Sequence, residues 1–188
     1  MRNLCVAIMA VVLTNCGHVP LSSLPKLTRL DIMTLDVEQL RIAVAMPEGL
    51  RVRKDSAIIT TGIRKTNDKS SLEERIILQE VAIDERNSTT ANLPAGTQIF
   101  RIAAEDLVRL ETLRSIVRRR KQDDPDGTKG YLTVTSGACR LDPLPIGPIF
   151  VTTWLKTAKD QTYFVATRNV NLRTVIQAQQ LQMQIPAC

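Results

Sequence analysis

A chain of 188 residues with 44% hydrophobic and 23% charged residues can bury one ample core and is too apolar to remain disordered. Only 3% of it is aromatic, so with Trp154, Tyr131, Tyr163 and the three Phe assigned to the core, nothing is left for exposed stacking platforms. The formal net charge of +6 raises the question of an acidic partner without naming one.

At the front of the chain Arg2 supplies a positive start, and Leu4 to Leu13 run apolar without a break. That length suits the centre of a secretory signal and is too short to cross a bilayer as a helix. The run ends in Leu13-Thr14-Asn15-Cys16. This stretch resembles the lipobox of bacterial lipoproteins, in which the cysteine thiol is diacylated, the chain is cut before it and the new amino terminus is acylated. Leu13 takes the aliphatic position, Thr14 is acceptable and Cys16 is the lipid acceptor, while Asn15 stands where Gly, Ala or Ser is usual. The resemblance implies a cleaved signal segment over 1–15, a lipidated tether over 16–25 and one soluble periplasmic domain over 26–188. Gly17 replaces the Asp that often marks retention in the inner membrane, which favours the outer membrane. Acyl chains in combination, at roughly 0.8 kcal/mol per buried methylene, hold such a protein stably. Other readings of the run are an uncleaved anchor and a cytosolic start with a buried core thiol, and Cys5 shows that chance cysteines occur there.

On the lipoprotein reading each of the four cysteines has a fate. Cys5 leaves with the signal and Cys16 carries lipid. Cys139 and Cys188 remain, an even pair in a compartment that permits disulfides. Their bridge would pin the end of the chain beside the Pro-rich segment and close a loop of about 50 residues, worth up to about 4 kcal/mol in chain entropy. Two free thiols or half of a metal site are the alternatives, although a terminal Cys without an accompanying His is a poor zinc ligand.

From Gly17 to Pro25 the prolines and serines predict an irregular tether, which fully extended reaches at most about 30 Å. Lys26 to Met33 reads as an initial edge strand. Leu40, Ile42, Val44 and Met46 alternate as a half-buried strand that stops at Pro47-Glu48-Gly49. Leu50 and Val52 resume the alternation, and Ala57 to Ile63 continue it after Lys54-Asp55. Arg64 to Ser71 is a polar loop, Ile76 to Ile83 a strand, Asn87 to Gly96 a loop and Thr97 to Ile102 a short strand.

One segment has helical period. From about Ala104 to Lys121, Leu107, Leu110, Leu113 and Val117 share a side, with Ile116 at its margin. Glu105, Asp106 and Glu111 come early and Arg118, Arg119, Arg120 and Lys121 late, as the helix dipole prefers. Asp123 to Gly127 ends the helix in a turn. Tyr131 to Thr135 is a strand, and three prolines hold Leu141 to Pro148 extended. Ile149 to Thr157 and Thr162 to Thr167 form a hairpin joined at Lys159-Asp160-Gln161, and Asn171 caps a short Gln-rich C-terminal helix. The sum is an α+β fold: an antiparallel sheet or sandwich of about 7–8 short strands with one long helix packed on it. The whole pattern resembles small envelope lipoproteins, from which no activity carries over.

Candidate sites are few. Arg118, Arg119, Arg120 and Lys121 could touch an anionic surface at about 1 kcal/mol per basic residue. Four successive residues turn through about 300°, however, so they ring the helix end instead of forming one flat face. The acidic turn Asp123 to Gly127 lacks charged ligands at the first and last positions of a calcium loop, and turn chemistry explains it. The one histidine, His18, lies in the tether, so His-based triads and metal centres lack their central residue. A Ser-Lys or paired-carboxylate enzyme, for instance with Glu80 and Asp84, has no local signature to test. No catalytic residue, metal or cofactor is therefore assigned, and no enzyme activity is expected. The expectation is a membrane-anchored envelope lipoprotein with a binding or scaffolding role, whose partners are the membrane, through its lipid, and an envelope protein, with no nucleic acid. Its alternatives are a carrier or chaperone for an apolar ligand, which requires a continuous cavity between sheets, and an enzyme with a His-independent site.

Overall fold

The fold is known from a computed structural model. It describes residues 18–31, 33–65, 71–81, 92–123, 128–158 and 162–188. The expected signal segment, the lipobox-like stretch with Cys16, Asp84, the body of the acidic turn at 124–127 and the hairpin turn at 159–161 lie outside the described residues.

The expected α+β architecture is present, with all strand pairs antiparallel. A main sheet contains β1 (Arg41–Ala45), β5 (Gln79–Glu80), β6 (Gln98–Arg101), β9 (Phe150–Lys156) and β10 (Phe164–Asn171) in the order β10-β9-β1-β6-β5. A second sheet contains β3 (Ile58–Lys65), β4 (Ser71–Ile77) and β7 (Thr128–Thr135) in the order β4-β3-β7. A ribbon of β2 (Leu50–Val52) and β8 (Ala138–Arg140) joins them at one side.

The inner faces of the two sheets make the core. Ile42, Val44, Phe100, Leu155 and Ala166 of the main sheet share one buried cluster with Ile59, Ile63 and Ile76 of the second. Helix α2 (Ala104–Asp123) adds Leu110, Leu113 and Val117 to that cluster, the stripe its period requires. Between them Arg114 is also buried, its guanidinium donating to Glu111 Oε1 at 2.5 Å and to the Leu35 carbonyl. Gln98 ties the ribbon to the main sheet, because its buried Oε1 accepts from the Val52 N–H at 2.6 Å. That bond satisfies a ladder donor that would otherwise be lost to burial.

Several expectations need correction. β1 is buried on both faces, not one: Ala43 packs with Ile99, Val81, Trp154 and Tyr163 on the far side of the sheet. Small Ala side chains there hid a second apolar face. Lys26 to Met33 is no strand. Pro20 precedes a 3₁₀ turn (Leu21–Ser23), and Pro25 sits in the first turn of helix α1 (Leu24–Thr28), where a missing N–H costs nothing. The segment from His18 is accordingly folded and docked, not an irregular tether. The Arg168 N–H donates to the His18 carbonyl at 2.6 Å, and His18 Nδ1–H returns a bond to the Arg168 carbonyl at 3.2 Å. The loop expected over Arg64 to Ser71 is shorter, since β3 runs to Lys65 and β4 begins at Ser71, before the strand expected from Ile76.

The C-terminal helix is also broken up. Asn171 does cap it, its side chain accepting from the Arg173 N–H at 3.1 Å. The chain then breaks into α3 (Leu172–Val175), a 3₁₀ turn (Ala178–Gln180) and α4 (Leu181–Gln184). Leu181 and Ile185 pack with Leu50, Ala138 and Ile149 in a separate cluster under the ribbon. Arg140 N–H donates to the Pro186 carbonyl at 2.8 Å, and Cys188 N–H to the Arg140 carbonyl at 3.0 Å, so the last residues lie along β8. Cys139 and Cys188 are bridged there, with Cα atoms 5.0 Å apart.

Candidate functional site

The two sheets do not close over their whole length. β7, paired with β3, and β10, paired with β9, are outer strands of their sheets, and between them the core opens into a cavity of about 560 Å³. Its main-sheet wall is Ile42, Val44, Phe100, Leu155 and Ala166. The opposite wall is Ala57, Leu78, Leu132 and Val134, and Leu27 and Leu30, from α1 and the turn after it, roof it. Thr153, Thr167, Thr135, Ser136 and Tyr131 complete the lining, the Tyr131 hydroxyl itself being bonded to Glu73.

No charged side chain lines this space among the described residues. An apolar wall with a few hydroxyls and no ion discriminates by desolvation: it accepts hydrocarbon, and an ionised group inside it would lose hydration without a partner. The volume lies within the roughly 300–1,000 Å³ of ordinary small-molecule pockets. The space exists because small residues, Ala57, Gly130 and Ala166, stand where two facing sheets would otherwise interdigitate. Two further clefts differ in chemistry. One of about 890 Å³ is bordered by Lys26, Arg29, Asp31 and Asp36, and one of about 660 Å³, beside the disulfide, by Arg51, Arg53, Lys54, Asp55 and Glu80.

Strands β3, β4 and β7 are held in place below the cavity by a close approach. Gly62 lies opposite both Glu73 and Tyr131, and a Cβ there would fall 2.0 Å from the Leu72 carbonyl oxygen. Across that bare position the Tyr131 hydroxyl donates to Glu73 Oε2 at 2.6 Å, linking the outer two strands over the middle one.

The residues singled out in the sequence lie elsewhere. Arg118 and Arg119 are exposed and Arg120 and Lys121 half-buried, and Arg118 lies 3.9 Å from Glu111. Glu80 pairs with Arg51 at 3.1 Å. Cys139 is buried and Cys188 exposed, and both adjoin the charged cleft, not the apolar cavity. The aromatic residues are not all in the core, since Phe150 is 47% exposed. Among the described residues no group of three or more His, Cys, Asp or Glu is placed to hold a metal, and no helix is long and apolar enough to cross a membrane. Sequence reading missed Leu27 and Leu30, although Leu24, Leu27 and Leu30 at intervals of three were a helical signal. No protein-family model matches the chain, and neither does any curated protein or any solved structure.

Proposed function

We propose that this chain is a lipid-anchored protein of the bacterial cell envelope, acylated at Cys16 and facing the periplasm, whose domain binds an apolar ligand between its two sheets. The observation that carries the binding role is the cavity of about 560 Å³, lined mainly by aliphatic side chains and by no charged one among the described residues. A single hydrocarbon chain is the ligand class that such walls favour, because its transfer from water gains roughly 0.8 kcal/mol per buried methylene. Placement in the envelope draws support from the lipobox residues and from the Cys139 to Cys188 bridge, since disulfides persist in oxidising compartments.

The test uses the full chain, purified from host membranes and titrated with palmitate as the probe. Saturable binding of one palmitate per chain, abolished by Thr153→Arg and retained by Arg118→Ser on the helix end, is the expected result. Equal binding by both variants would place the ligand outside the cavity and overturn the reading. Intact mass of the same preparation tests the anchor: loss of residues 1–15 with acyl mass on Cys16 is expected, and an unmodified thiol with the leader retained would overturn it.

A further inference from the structure

We infer that one end of the main sheet, carrying Ile146, Phe150 and Val175, is the face on which the domain rests against a phospholipid bilayer; this rests on the proposed acylation of Cys16. The first observation is the direction in which the chain enters the fold. His18 is bonded to Arg168 in the second half of β10, and Lys26 Nζ lies 5.0 Å from the ring centroid of Phe164 at the start of that strand. The segment from His18 to Lys26 therefore runs antiparallel to β10, with His18 on the side nearer Asn171. Two residues span at most about 7 Å. A lipid on Cys16 would thus be tied within that reach of His18, which is bonded to Arg168 in the half of β10 that ends at Asn171.

The second observation is what that end displays. Phe150 is the partner of Asn171 in the β9 to β10 ladder, three residues beyond Arg168 and past the irregularity between Thr167 and Val170. Val175 ends α3, the helix that begins directly after β10. Ile146 belongs to the Pro-rich loop, which Arg173 of α3 clips in place by donating from Nε to the Gly147 carbonyl at 2.8 Å and from its other nitrogen to the Pro145 carbonyl. Ile146 is completely exposed, Val175 is 61% exposed and Phe150 is 47% exposed. A fully exposed Ile on a braced loop is an apolar side chain held out into solvent at a fixed place, and an acylated neighbour supplies a solvent for it. Exposed Arg168 and Arg173 stand at the headgroup level of the same end.

The full chain decides the matter, purified from membranes and reconstituted in vesicles of phosphatidylethanolamine and phosphatidylglycerol. Cys139 and Cys188 are bridged and Cys16 is acylated, so Ile146→Cys, Phe150→Cys and, as a control on the exposed face of α2, Val108→Cys each offer one thiol for a nitroxide label. Labels at positions 146 and 150 are expected to be relaxed several-fold more by oxygen, which partitions into lipid, than by a water-soluble nickel chelate, with the reverse at 108. Water-like behaviour at 146 and 150, in protein whose intact mass shows acylated Cys16, would overturn the seating and leave the anchor standing. An unacylated chain that keeps its leader would overturn both.

Discussion

At the residue scale the buried polar groups show which parts of the fold are under tension with water. Tyr163 packs against the outer face of the main sheet with Ala43, Ile99 and Trp154, and its hydroxyl is buried without a hydrogen-bond partner among the described residues. Burial pushes its phenol up to about 12, only partly countered by the charge of Arg41, because the phenolate would have to leave water. The folded value exceeds the unfolded one, so the contribution to stability is complete below about pH 10 and is lost as the pH rises toward 12. Ultraviolet titration of the two tyrosines should therefore show Tyr163 ionising near pH 12 in the folded chain. Tyr163→Phe removes an unsatisfied hydroxyl at nearly constant shape, so it should match or exceed the parent in urea midpoint at neutral pH and lose less stability between pH 10 and 12. A large loss of stability at neutral pH would mean that the hydroxyl has a partner.

At the element scale the disulfide decides whether the last residues belong to the fold. The tail rests on few contacts: two backbone bonds to Arg140 and the burial of Leu181 and Ile185. The bridge closes a loop with a sequence separation of 49, so its reduction, or Cys188→Ser, should cost up to about 4 kcal/mol in urea unfolding. Hydrogen exchange at the Arg140 and Cys188 amides should speed up in parallel, and an unchanged midpoint on reduction would show that packing alone holds the tail. This pairing was legible because cysteine counting needs no geometry. So was α2, whose apolar stripe at Leu110, Leu113 and Val117 has one period over twenty residues. Short elements were not. β8 has three residues and exists through its partner β2, and α1 has five, read as extended because Pro20 and Pro25 look like breakers away from their turns. The cavity was least legible of all, since it is made by what small side chains leave empty between strands distant in sequence.

At the scale of the whole molecule, two faces of one sheet pose opposite packing problems, and this makes the cavity testable by stability as well as by binding. Ala166 on β10 and Ala43 on β1 are both buried alanines of the main sheet. Ala166 borders the cavity, whereas Ala43 is wholly enclosed against Ile99 and Trp154. Ala166→Leu therefore has room to expand: it should stabilise the unliganded chain by about 0.5–2 kcal/mol, as cavity filling commonly does. The same substitution occupies the proposed ligand space and should weaken palmitate binding at least about tenfold, or about 1.4 kcal/mol. Ala43→Leu has no such room and should destabilise by about 1–3 kcal/mol through overpacking. It leaves the cavity walls in place, so palmitate affinity in the folded fraction should hold. The two urea midpoints moving in opposite directions, with only the stabilised variant losing ligand, is a combination that a solidly packed sandwich cannot produce. Equal destabilisation by both would mean that the sheets close in solution and that the ligand-binding role fails with the cavity.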